Sequence, residues 1–92
     1  MSYAVYSEEG FVGSLATVEG YGQLRKVIQA HAEKGYSLTE LLQDGYVTDA
    51  KQAKAEVDVI LKSQNLAFQS RYMLKRLSQL LGRVQGVAIV HG

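Results

Sequence analysis

Cysteine and proline are both absent from this chain. Without cysteine there is no disulfide to staple the fold and no thiol to act as nucleophile or metal ligand. Without proline, every turn has to be made with Gly, Asn, Asp or Ser. Histidine is scarce: His31 and His91 are the two present, and His91 is the penultimate residue. Long apolar runs are missing too, and no stretch approaches the ~20 residues of a membrane-spanning helix. The opening Met1-Ser2-Tyr3-Ala4 lacks the basic start and apolar run of a secretory signal. These absences together predict a cytoplasmic protein with no membrane partner.

The same scarcity runs through the chemistry. Metal sites gather Cys, His and carboxylates at ligand spacing, and no His-x-x-x-His pair or Asp-x-Asp ladder occurs here. Gly10-Phe11-Val12-Gly13-Ser14 lacks the lysine that a phosphate-cradling loop needs. Gly20-Tyr21-Gly22 opens a helical pattern, where an anion could sit. A dinucleotide fingerprint would want a third glycine at the position held by Arg25. Glu8-Glu9 reads as two solvated charges in a turn, and His31 as a polar residue beside the core. No catalytic residue, metal or cofactor is therefore expected, and the chain is not read as an enzyme.

What is present suits one small globular domain, residues 1–92. Hydrophobic residues make up 47% of the chain and charged residues 21%, close to the globular norm. The net charge of +1 hides an asymmetry. Residues 1–58 hold five Lys/Arg against nine Asp/Glu, a balance of −4, and residues 59–92 hold five Lys/Arg and no acid, a balance of +5. Such a split marks either two halves that face each other or a surface for a charged partner.

Two short β-type runs, 3–7 and 11–16, flank Glu8-Glu9-Gly10 and predict a hairpin, with Gly13 marking a bulge or a weak point. Thr17 can cap a helix in which Tyr21, Leu24, Val27, Ile28, His31 and Ala32 share a face. Lys34-Gly35-Tyr36 would stop it. Ser37-Leu38-Thr39-Glu40 fits a capping box for a short second helix, ended by Asp44-Gly45-Tyr46. Thr48 or Asp49 would cap a third helix running to about Lys62, with a break at Ser63-Gln64-Asn65. The fourth, at about 66–82, has the clearest pattern: Leu66, Ser70, Met73, Leu74, Leu77, Leu80, Leu81 and Val84 fall within an arc of about 120°. Residues 87–90 read as a closing strand, too apolar for an exposed edge. It is expected to lie inside the sheet or to pair with another chain. The fold class is α+β, in the order β-β-α-α-α-α-β, with the hairpin and C-terminal strand forming a small sheet against about four helices.

The far side of the fourth helix is the candidate functional face. Phe68, Arg71, Tyr72, Lys75, Arg76 and Arg83 spread between about 140° and 280° on an ideal helical wheel. Three readings compete for it. Another part of the fold could cover the two rings. A protein partner or a second copy could use them, because aromatics and arginine are enriched at interfaces. Nucleic acid could bind, with cations on phosphates and rings on bases. A helix-turn-helix at 38–62 is less apt, since Glu56 and Asp58 on its second helix would repel phosphate. The function read from these residues is a non-enzymatic protein-interaction module, with self-association as one form of that interaction. A nucleic-acid binder is the alternative.

Overall fold

The hairpin forms where alternation and Gly10 place it. In the computed structural model, which describes residues 2–31, Leu38 and residues 48–92, β1 spans Ser2–Ser7 and β2 spans Gly10–Thr17. Gly10 has φ +121°, a left-handed conformation that a side chain would strain. Ser7 closes the turn, its Oγ accepting the Glu9 N–H at 3.1 Å. The two strands are antiparallel, and β2 has two residues without partners, Val12 and Leu15, at the register shifts. These bulges turn both side chains onto the core, Leu15 being buried and Val12 packed against it.

Helix α1, Val18–His31, follows β2 directly. The Thr17 hydroxyl accepts the Gly20 N–H at 3.2 Å, as its capping position predicts. Tyr21, Leu24 and Ile28 bury one face of the helix. His31 departs from its expected place: it is exposed, and its Nδ1 lies 2.9 Å from the Val27 carbonyl oxygen in the last turn. The expected stop at Lys34-Gly35-Tyr36 and the short helix with its capping box lie outside the described residues, apart from Leu38. That residue is fully buried in the core.

A two-residue strand, β3 (Thr48–Asp49), leads into α2, Ala50–Leu61. Asp49 is the cap, its Oδ1 accepting the N–H of Lys51 at 2.9 Å and of Gln52 at 3.4 Å. The break predicted after α2 is real, and α3 spans Phe68–Gly82. Chain reversal at Gln85-Gly86, where Gly86 has φ +99°, delivers β4, Val87–His91. The sheet runs β2-β1-β4-β3, antiparallel throughout.

The α+β class therefore stands, with two differences from expectation. Three helices, not about four, occur among the described residues. The sheet also gains β3, too short to show in a sequence pattern. β4 is interior, between β1 and β3, which resolves its apolar character without a second chain. One core joins Val5, Leu15, Ala88 and Val90 of the sheet to Leu24, Ile28, Val57, Ile60 and the leucines of α3. Each fully buried leucine adds about 2 kcal/mol of hydrophobic stabilisation.

Two polar contacts tie α2 to its neighbours. Glu56, buried at 4% exposure, accepts the Leu38 N–H at 2.8 Å and the Gln52 side-chain N–H at 2.9 Å. Asp58 accepts the Ser78 hydroxyl of α3 at 2.7 Å and pairs with Lys54 at 2.8 Å. Burial alone would raise the Asp58 carboxyl. The donors on Lys54 and Ser78 and the charges of Lys54 and Lys62 outweigh it and hold the group below its ordinary value. The contribution is present above the unfolded-state value and is lost as pH falls through the folded one.

Candidate functional site

The side of α3 opposite its leucines is where the candidate residues gather, and the structure divides them into two kinds. Phe68 is 84% exposed and Tyr72 is 67% exposed. Reading these rings as core is therefore a correction to make: nothing described covers them. Helical spacing alone could not decide this, because it states which residues share a side and not what lies opposite.

The cations part company. Arg71 is drawn back over the α2–α3 connection, donating from Nη1 to the Leu61 carbonyl at 2.9 Å and from Nη2 to the Ser63 carbonyl at 2.7 Å. It satisfies carbonyls left over at the end of α2. Arg76 reaches β2, where its Nε donates to the Ser14 carbonyl at 3.0 Å on the outer strand of the sheet. Lys75 stays exposed. Arg83 is also exposed but lies at the other end of the helix, in a cleft of about 350 Å³ shared with Ser7, Glu8 and Glu9 of the hairpin turn.

Phe68 and Tyr72 form one wall of an open groove of about 510 Å³ with Gln69 and Met73. The start of α1 forms the other wall, through Thr17, Glu19, Gly20 and Gln23. Gly20 makes this possible. A Cβ there would meet Met73 Sδ at 3.3 Å, Thr17 Oγ1 at 3.3 Å and Ala16 Cβ at 3.4 Å, tighter than ordinary contact. A second depression, about 220 Å³, lies beyond Tyr72 and is lined by Lys75, Arg76 and Gln79. Tyr72 thus stands on a ridge between an apolar groove and a cationic one.

The α1 wall was missed by sequence reasoning. Its one signal was Gly20-Tyr21-Gly22, which pointed to a place where an anion could sit; at Gly20 the structure shows close helix packing instead. Tyr21 itself turns inward and stacks on Tyr3, ring centroids 3.7 Å apart and 5° from parallel. Burial, partly offset by Arg25 and reinforced by Tyr3, pushes its hydroxyl up to about 12.

Elsewhere the described residues bring together no group of three or more His, Asp or Glu able to hold a metal ion. None of the described helices is long and apolar enough to cross a membrane. Glu56, read as a surface acid of a possible DNA-reading helix, faces inward to Leu38, and Lys54 is engaged by Asp58. The chain matches no protein-family model, no curated protein and no solved structure.

Proposed function

We propose that this chain is a non-enzymatic protein-interaction module that binds a protein segment across the groove rimmed by Phe68 and Tyr72. The observation that carries the reading is the exposure of these two rings beside a groove also lined by Met73 and Gly20. Leaving two large rings in water wastes burial worth about 2 kcal/mol each. Aromatic anchors beside a pocket, with arginine close by, are the residue types that dominate binding energy at protein interfaces. Among the described residues that line the groove, Glu19 is the one acid and no histidine or lysine stands with it. The proposed setting is the cytoplasm, consistent with a core that works without disulfides.

Nucleic acid is the less favoured occupant. Binding to phosphates needs cations that are free to neutralise them. Arg71 and Arg76 already serve backbone carbonyls, and Glu19 lines the groove itself.

The test places a photo-cross-linking residue at Gln69, on the groove wall, and irradiates cells making the protein. Discrete protein adducts that vanish when Phe68→Ala and Tyr72→Ala are added support the reading. Nucleic-acid adducts, or no adduct, overturn it. Anisotropy with labelled single-stranded and duplex nucleic acid gives an independent check. Tight, salt-sensitive binding that is lost on neutralising Lys75 and Arg83 would replace the proposal with the nucleic-acid one.

A further inference from the structure

The chain carries, at its opposite end, a segment that matches its own groove. The β1–β2 turn displays Glu8 and Glu9, both exposed, and directly after it Phe11 is 63% exposed. Phe11 leans edge-on against Tyr6 at 5.8 Å, so the ring is supported and held outward. Two carboxylates next to an exposed ring form the complement of the α3 face. There, an apolar groove at Phe68, Tyr72 and Met73 adjoins the cations Lys75 and Arg76.

Among the described residues Lys54–Asp58 is the ion pair formed, and neither Glu8 and Glu9 nor Lys75 and Arg76 takes part in one. Nor can the turn reach its own groove. Ser7, Glu8 and Glu9 share a cleft with Arg83, Val84 and Gln85, just past the C-terminal end of α3. The groove lies against its first turns, at Phe68 and Tyr72, about 20 Å away along the helix. Any docking of turn into groove has to take place between molecules.

We infer that the β1–β2 turn of one copy docks into the Phe68–Tyr72 groove of a second copy, head to tail. The inference rests on the reading of that groove as a protein-binding site. Phe11 enters between Phe68, Tyr72 and Met73, and Glu8 and Glu9 lie toward Lys75, the cation of this face that no described backbone carbonyl holds. Glu19, on the α1 wall, repels the incoming carboxylates and so directs them to the α3 side. A symmetric pairing of α3 with α3 is disfavoured, because the helix holds Arg71, Lys75 and Arg76 and no acid. A head-to-tail contact leaves a free turn at one end and a free groove at the other, so association continues beyond two chains unless the rotation closes a ring.

Sedimentation velocity of the full chain between about 10 μM and about 1 mM tests this, in low salt where surface charges are least screened. The weight-average mass should climb with concentration and fall when salt is added. Two variants, Phe11→Asp (dead turn) and Lys75→Glu (dead groove), should each weaken self-association at least about tenfold. All these positions are exposed, and circular dichroism should show both variants folded. Mixed together they should form a complex of two chains and stop there, since one supplies the intact groove and the other the intact turn. A chain that stays monomeric at every concentration, or a mixture that does not pair, overturns the inference. In that case a cross-link from Gln69 to a different protein leaves the protein-interaction reading standing. Absence of both removes the two together.

Discussion

The two sides of α3 use the same fifteen residues in opposite ways. On the inner side Leu74, Leu77, Leu80 and Leu81 are fully buried, and on the outer side Phe68 and Tyr72 stand in solvent. Apolar character alone does not separate them. What separates them is partnership: the leucines meet β2, α1 and α2, while the rings meet a groove that no described residue fills. The contrast extends to the cations, where Arg71 and Arg76 act as structural clamps and Lys75 does not. A basic aromatic helix face therefore contains residues that serve the fold and residues that the described fold does not use, and on the proposed reading only the second kind forms a site.

The largest effect that would sharpen this contrast lies in the leucines. Leu77→Ala should cost about 3 kcal/mol in urea unfolding, because a buried side chain is removed from a core that relaxes only partly. Phe68→Ala should change stability by less than about 0.5 kcal/mol, as at any surface position without special contacts. If Phe68→Ala were as costly as Leu77→Ala, the ring would be part of the core and the groove would not be a docking surface.

The next effect is set by pH, and it distinguishes the buried Tyr21 from the exposed Tyr72. The Tyr21 hydroxyl is raised from 10.0 to about 12, chiefly by burial. The unfolded chain then releases this proton at lower pH than the folded chain does. Stability is unaffected below about pH 10 and falls between there and pH 12, by about 2 to 3 kcal/mol at most. Urea unfolding at pH 9 and pH 11.5 should show the loss, and Tyr21→Phe should remove most of it. Tyr72→Phe should leave the pH dependence intact.

Gly13 joins the inner side of α3 to the sheet. A Cβ on Gly13 would lie 2.5 Å from Leu80 Cδ2, and Leu80 is itself fully buried with nowhere to retreat. Gly13→Ala should destabilise by about 1 to 3 kcal/mol through overpacking, with Leu80→Ala partly relieving it in a double-mutant cycle. Here the reach of sequence reasoning can be seen. The hairpin, the caps at Thr17 and Asp49, the break after α2 and the leucine stripe were legible because each depends on neighbours within four residues. Gly13 could be marked as irregular, but not as the point where α3 touches β2, since that depends on a contact some 67 positions away. The same limit hid β3, whose two residues form a strand only because β4 is beside them, and the α1 wall of the groove. Charge was legible as an inventory and not as an assignment: five cations could be counted after residue 58, but not which of them would turn back to a carbonyl.

That assignment is open to the finest test, a comparison of Arg71, Arg76 and Lys75. Arg71 makes two charge-assisted bonds to carbonyls at the end of α2, Arg76 makes one to the outer strand, and Lys75 makes none that the described residues show. Substitution by alanine should therefore cost about 1 to 2 kcal/mol at Arg71, about 1 kcal/mol at Arg76 and less than about 0.5 kcal/mol at Lys75. Arg71→Lys should recover little, because one ammonium cannot span two carbonyls as the planar guanidinium does. Guanidinium chloride would screen the differences, so urea is the appropriate denaturant. An equal effect at all three positions would mean that the cations act through net charge rather than through particular carbonyls. The graded order instead would identify Lys75 as the cation of this face that the fold does not use, and hence the one whose loss should be felt by a partner.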